Sequence, residues 1–263
     1  MILESMLENN KGINVIPIGS GSTGNSIYIE IDKYQLLVDM GMGYKKIKAA
    51  LEKNNRNIED IDAVFITHGH NDHVKSCKAI SNHLNCNIYA HKSSFYNLRD
   101  SILEKKELAV NENIEVLDKL IVRMFPVPHD FAYTFGFTFT FNNKKVAYLT
   151  DCGLMNDNIL KELCNSNLVV IESNHDIDML ENGHYPKELQ KRIKSKHGHL
   201  SNDDCADAID FLYKHDCKSF LLAHISKQNN TPELALNCVN EKMKDKDIFV
   251  YACLESSDDF LEF

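Results

Sequence analysis

The segment Phe65-Ile66-Thr67-His68-Gly69-His70-Asn71-Asp72-His73 constrains this chain more than any other. An apolar run, Ala63-Val64-Phe65-Ile66, reads as a short buried strand that stops at Thr67. Three histidines, an aspartate and a glycine then crowd into the next six positions. Side chains alternate along an extended segment, so His68 and His70 can converge on one cation. Asp72 and His73 are neighbours and cannot share that face unless the chain turns, which leaves them to a second cation beside the first. The pattern reads as a two-metal site where a core strand gives way to a loop or helix. A single histidine there would be an ordinary polar surface residue. Three of them, interleaved with an aspartate behind a buried strand, make a ligand set.

The same punctuation recurs along the chain. Met124-Phe125-Pro126-Val127-Pro128 leads to His129, Val146-Ala147-Tyr148-Leu149-Thr150 to Asp151, and Phe220-Leu221-Leu222-Ala223 to His224. Taken singly, His129 would be a satisfied histidine and Asp151 the N-cap of a following helix. The repetition argues otherwise: strands that end at one edge of a fold gather their terminal residues, and rigid strands aim ligands better than loops do.

Elsewhere the chain alternates strands with helices. Strands are expected at 14–18, 27–31, 35–39, 63–66 and 87–90, then at 114–117, 120–127, 135–141, 144–150, 168–171, 219–223 and 248–252. Helical periodicity runs over 44–53, from Asp72 through Val74, Cys77, Ile80 and Leu84, and over 155–164, 186–194, 201–214 and 232–243; residues 92–112 read as a charged helical excursion. Asp32-Lys33 and Asn142-Asn143 fit hairpin turns. The loop 19–26, Gly-Ser-Gly-Ser-Thr-Gly-Asn-Ser, is either a tight strand connection or a source of backbone N–H groups for a phosphate. It is not a Walker loop, since no Gly-Lys-Ser/Thr follows. Two groups of strands with helices interspersed predict an α/β (α+β) chain: a four-layer αββα sandwich of two mixed sheets flanked by helices. Residues 1–12 are expected as a flexible leader, 13–263 as a single domain, and 254–263 as its acidic periphery.

Composition narrows the function. The 263 residues suffice for a substantial core, and the net charge of -9 argues against a generally basic nucleic-acid binder. Nucleic acid would have to be met by a local basic patch or by metals. The first residues carry two glutamates and no export signal, and no segment is apolar for long enough to cross a membrane. Eight cysteines without a Cys-x-x-Cys pair read as reduced thiols of a cytoplasmic protein.

His-x-His-x-Asp-His resembles the signature of the metallo-β-lactamase superfamily. That resemblance implies a division of labour: His68, His70 and His129 hold one metal, Asp72, His73 and His224 hold the other, and Asp151 bridges them. Imidazole with carboxylate suits two divalent ions, zinc first, with manganese or iron as alternatives. Such a pair deprotonates a bridging water near neutral pH and clamps the oxyanion of an in-line displacement, with Asp72 and Asp151 counted as catalytic as well as ligating. Phosphodiesters, thioesters, lactones and β-lactams are all within its reach.

The stretches 20–26, Asp151-Cys152-Gly153, Glu172-Ser173-Asn174-His175-Asp176, Gly198-His199-Leu200-Ser201-Asn202 and His224-Ile225-Ser226-Lys227-Gln228-Asn229-Asn230-Thr231-Pro232-Glu233-Leu234 look like the YycJ/WalJ (also VicX) group of bacterial metal-dependent exonucleases. The resemblance implies a nucleic-acid substrate, DNA before RNA. It also implies a catalytic role for His199 beside the scissile phosphate; the competing reading makes Gly198-His199 the entry to a helix capped by Ser201 or Asn202. His175 is a secondary candidate for the same neighbourhood, whereas His83, His91, His184, His197 and His215 read as surface or packing residues. Ser76 replaces a glycine usual in the superfamily, and His184 a proline frequent among relatives. Lys191, Arg192, Lys194 and Lys196 form the best basic cluster, either a DNA contact or a solvated helix face. The competing functions are a small-molecule hydrolase acting on a thioester, lactone or cyclic phosphodiester, and a non-catalytic scaffold on the same fold. A di-iron oxygen reductase is more remote, since His70 stands where such enzymes tend to place glutamate. No pattern selects an oligomeric state.

Overall fold

In the computed structural model the described residues are 12–21, 24–98 and 105–253. The expected leader up to residue 11, Ser22 and Thr23 of the small-residue loop, residues 99–104 and the acidic end 254–263 lie outside them. The described residues form two compact units, one ending at Val110 and one running from Asn111 to Cys253, each with its own mixed sheet.

In the first unit six strands lie in chain order across the sheet: β1 (Ile13–Gly19), β2 (Ser26–Ile31), β3 (Tyr34–Val38), β4 (Ala63–Ile66), β5 (Asn87–Ala90) and β6 (Lys105–Glu107). β1, β2 and β3 pair antiparallel. Asp32-Lys33 closes the second hairpin between Ile31 and Tyr34, with Asp32 at φ 51. From β3 to β6 the strands are parallel, which demands crossover segments. Helix α1 (Tyr44–Lys53) serves β3 to β4 and buries Ile47, Ala50 and Leu51, spaced for one helical face. β4 is buried at every position, as a central parallel strand must be.

Two expectations need correction here. The helix from Asp72 to Leu84 is broken into α2 (Asn71–Val74) and α3 (Cys77–Ser81). Its hydrogen bonds go elsewhere: the His73 carbonyl accepts from the Met40 N–H, and the Ser76 N–H donates to the Met40 carbonyl. Residues 92–112 are not one helical excursion either. Helix α4 (Lys92–Asn97) is followed by β6, whose half-exposed and exposed Lys105, Lys106 and Glu107 form a charged border strand.

The second unit orders seven strands as β13-β12-β11-β10-β9-β8-β7. They are β7 (Asn113–Leu117), β8 (Leu120–Val127), β9 (Thr134–Phe141), β10 (Lys144–Leu149), β11 (Leu168–Glu172), β12 (Ser219–Ala223) and β13 (Phe249–Ala252). β7 to β10 are antiparallel and β10 to β13 parallel. Asn142 and Asn143 turn the β9–β10 hairpin at φ 48 and 63, the mirror-image turn that matches strand twist. Helices α5 (Asp157–Leu163), α6 (Ile177–Asn182), α7 (Lys187–Ile193), α8 (Asn202–Tyr213) and α9 (Pro232–Lys242) accompany them. Phe125, Ala147, Val169, Ile171, Phe220 and Leu222 pack with Leu163, Ile209, Leu212, Ala235 and Leu236 from α5, α8 and α9. Each fully buried large side chain there contributes roughly 1.5–3 kcal/mol. The six-residue α6 has no sequence periodicity to announce it, and its N-cap is Asp176, which accepts from the Met179 N–H.

Strand direction sets where chemistry can sit. β10, β11 and β12 run together, and their ends are in register, Leu149 with Ile171 and Glu172 with Ala223. β8 shares their direction, because it and β10 are both antiparallel to β9. His129, Asp151, Glu172 and His224 thus follow or end strands at one edge of this sheet. In the first sheet β3 and β4 likewise run parallel and lead directly into Asp39 and Thr67. The carboxyl edge of parallel strands is the usual place for a ligand in such sheets.

Candidate metal centre

In the first unit the chain leaves β4 through Thr67, which is fixed by Asp39 at the end of β3. The Thr67 N–H donates to Asp39 Oδ1 at 2.9 Å and its hydroxyl to Oδ2 at 2.9 Å. A hydroxyl has one proton to give, so at His68, whose Nδ1 lies 3.0 Å away, Thr67 accepts. His68 therefore carries its proton on Nδ1 and its lone pair on Nε2. Nε2 lies 3.0 Å from Nδ1 of His70. Two nitrogens bound to one tetrahedral zinc, at about 2.0–2.1 Å from it, stand roughly 3.3 Å apart, close to this spacing. His68 and His70 do converge, as alternation along an extended segment requires.

His73 is oriented by the same carboxylate. Its Nδ1 lies 2.7 Å from Asp39 Oδ2, which leaves the Nε2 lone pair beside Asp72, 3.7 Å from Oδ2. Full burial pushes the Asp39 carboxyl above its ordinary value, against the pull of His73 and Thr67. The small-residue loop finds its use here. Asn25 Nδ2 donates toward His73 Nε2 at 2.9 Å and Asp72 Oδ2 at 3.3 Å, and the Asn25 N–H donates to the Asp72 carbonyl. Gly41 belongs to the same packing: a Cβ there would stand 1.6 Å from the Asp72 carbonyl oxygen.

In the second unit Glu172 plays the part of Asp39. Its Oε1 accepts from His199 Nδ1 at 2.8 Å and from His224 Nδ1 at 2.6 Å, while Oε2 accepts from the N–H groups of Cys152 and Leu200. Burial pushes the Glu172 carboxyl up, but His199 and His224 outweigh it and hold it well below the usual carboxylate range. Burial equally opposes charge on His199, and Glu172, Asp151 and Asp130 overcome it, raising that imidazole above its ordinary value. His129 is held at Nδ1 by the Gly198 carbonyl, 3.2 Å away, and brings Nε2 to 3.6 Å from Asp151 Oδ1. The same Asp151 oxygen lies 3.6 Å from His224 and 3.9 Å from His199. Asp151, Glu172, His199 and His224 offer ligand atoms within 4.8 Å of one another.

Within each unit the expected ligands are together: His68, His70, Asp72 and His73 in the first, His129, Asp151 and His224 in the second. The helix after Asp151 is capped by Asn156, which frees Asp151 from the capping role. Ser201 does cap α8, in a capping box with Asp204, as the helix-entry reading of the Gly198-His199 stretch expects. Asp39, Asp151 and His224 all adopt left-handed backbone at φ 61, 56 and 55. For non-glycine residues this costs on the order of 1–3 kcal/mol each, strain that concentrates at functional sites. Asp39, Glu172 and Asn25 carry no site role in the sequence analysis, although Glu172 and Asn25 lie in stretches that carry the family resemblance. Asp39 and Glu172 obey the rule that pointed to the candidate ligands, since Leu36-Leu37-Val38 and Leu168-Val169-Val170-Ile171 run into an acid.

The donor set fits divalent cations. Each of His68, His73, His129 and His224 has Nδ1 engaged by a hydroxyl, carboxylate or carbonyl, the arrangement that fixes tautomer and ring orientation in metal sites. A profile of the Beta-lactamase superfamily domain matches residues 34–225. The chain belongs to the beta-lactamase superfamily. Within it, the chain is 32% identical over 251 residues to Exodeoxyribonuclease YycJ of Bacillus anthracis, covering 94% of this chain and 95% of that one. It is 35% identical over 231 residues to Exodeoxyribonuclease WalJ of Streptococcus pneumoniae serotype 2 (strain D39), covering 85% and 86%. Among solved structures it resembles the metallo-beta-lactamase fold protein YhfI of Bacillus subtilis, with a TM-score of 0.71, 15% identity and coverage of 95% and 99%. The expected fold class stands: two mixed sheets flanked by helices, in the metallo-β-lactamase fold.

Proposed function

We propose that this superfamily member is a dinuclear metal-dependent exodeoxyribonuclease. His68, His70 and His129 hold one divalent cation, Asp72, His73 and His224 the other, and Asp151 bridges them. The observation that carries this reading is the engagement of Nδ1 in four of the five ligand imidazoles, which sets each Nε2 as the lone-pair nitrogen. The choice of DNA rests on the relatives named exodeoxyribonuclease at 32% and 35% identity. The family match runs through both units, which supports treating residues 13–263 as one domain. Zinc leads the choice of metal, with manganese or iron next, because the donors are imidazoles and carboxylates. All eight cysteines carry free thiols, which suits the reducing cytoplasm.

Two divalent cations supply a water that is acidic near neutral pH and a clamp for the oxyanion of an in-line displacement. The protein's own contribution is orientation and proton handling. Asp39 and Glu172 fix the ligand rings. Asp151 offers its carboxylate to both cations, and Asp72 lends charge beside His73. His199, whose side chain is 21% exposed, is anchored by Glu172 at Nδ1 and keeps Nε2 to donate a proton to the departing oxygen of the phosphodiester. The test is product analysis on end-labelled duplex and single-stranded DNA with zinc and with manganese, run beside thioester and lactone panels. Stepwise release of nucleotides only with divalent cation is expected. Turnover of a thioester or lactone without any divalent-dependent loss of nucleotides overturns the reading.

A further inference from the structure

Behind two residues of the candidate centre lies a pocket that the chemistry above does not use. Two positions past Asp151 and one past His199 the chain enters its lining, at Gly153 and at Leu200. The two loops touch there: a Cβ on Gly153 would stand 2.4 Å from the Gly198 nitrogen. The cavity measures about 520 Å³, and its apolar lining includes Leu160 of α5 and Phe211 of α8. Leu154 also lines it and is 38% exposed, one of the few large apolar side chains so open to solvent among the described residues.

The charges around the pocket are mostly spent. Asp204 sits in the first turn of α8, where the helix N-terminus offsets its charge, Asp207 pairs with Lys242, and Lys194 pairs with Glu181. Lys196 remains, exposed and with no carboxylate partner among the described residues. An apolar lining with one uncommitted cation suits a ligand that joins a flat apolar body to an anion. In a chain of net charge -9, that combination beside the site calls for a reason. It also divides the basic cluster 191–196, since Arg192 is committed to Asp130 and Lys194 to Glu181.

We propose that this pocket receives one nucleotide of the DNA strand, with its base on the apolar lining that includes Leu154 and its phosphate against Lys196. The proposal rests on the exonuclease reading for its choice of substrate, and on the pocket's own shape and charge for the contacts. Bases lie readily on apolar and aromatic faces whatever their identity, so such a pocket accepts any of the four.

The test is calorimetric binding of deoxyadenosine monophosphate and of deoxyribose 5-phosphate to the metal-loaded full chain, as wild type, Lys196→Glu and Leu154→Asp. Both positions are exposed, and thermal melting confirms that each variant folds. Wild type is expected to prefer the nucleotide over the abasic phosphate at least tenfold. Leu154→Asp is expected to erase that preference, and Lys196→Glu to weaken both ligands about tenfold. Equal affinity of wild type for the two ligands, or unchanged nucleotide binding in both variants, overturns the proposal. Digestion of end-labelled DNA is scored separately. Its absence together with the expected binding pattern removes the exonuclease reading and upholds the nucleotide pocket.

Discussion

Nδ1 of His73 lies 2.7 Å from Oδ2 of Asp39, and neither side chain is exposed to solvent. The contact ties the end of β3 to helix α2 and dictates which nitrogen of His73 can bind a cation. Asp39→Asn keeps the shape but replaces an acceptor-only group with one that also donates. Affinity for the cation held by His73 is expected to fall about 10- to 100-fold, in line with other outer partners of metal-bound histidine. A zinc titration of the purified variant checks this. Unchanged affinity would show that Asp39 is a packing residue.

Glu172 is more deeply committed, since its two oxygens serve His199, His224, Cys152 and Leu200. Truncation leaves these donors buried opposite nothing. Glu172→Ala is expected to cost about 3–5 kcal/mol in urea unfolding, as breaking a buried charged pair does. A loss under 1 kcal/mol would mean that water replaces the carboxylate.

His199 and Asp151 should separate in a metal assay. His199→Ala is expected to keep its metal content and lose about 10²- to 10⁴-fold in rate, the usual worth of a proton-transferring group. Asp151→Ala is expected to lose activity altogether, together with metal. If His199→Ala loses metal as well, His199 is a ligand and its assignment as proton donor fails.

Gly41 tests the coupling between backbone and ligand. A methyl group there has no room, because the Asp72 carbonyl would stand 1.6 Å from it. Gly41→Ala is expected to destabilise the protein by about 1–3 kcal/mol, as overpacking does, and to weaken metal binding with it. A wild-type melting temperature in this variant would contradict the packing.

Much of the site was legible because strands are short, apolar and end abruptly. Val64-Phe65-Ile66 and Phe220-Leu221-Leu222 announce themselves, and His68 and His224 follow one residue later. Asp39 and Glu172 sit at equivalent strand ends and passed as ordinary exits, because a carboxylate that orients a histidine differs from a solvated one only through a partner distant in sequence. His73 is 34 residues from Asp39, and His224 is 52 from Glu172. The helix expected from Asp72 failed for a related reason: Met40, far upstream, takes the backbone groups that would have continued it. β6 was hidden by its charges, which suit the border of a sheet as well as they suit a helix surface. Periodicity reports burial; it does not report which distant backbone completes a hydrogen bond.

The claim on which the mechanism stands is that both clusters of ligands serve a pair of cations. Metal analysis of the purified chain in metal-replete buffer measures this directly, for wild type and for Asp72→Ala. Two divalent ions per wild-type chain are expected, falling to about one in the variant, whose remaining ion is held by His68, His70 and His129. Fewer than one ion per wild-type chain would contradict the dinuclear centre and favour a non-catalytic scaffold on this fold.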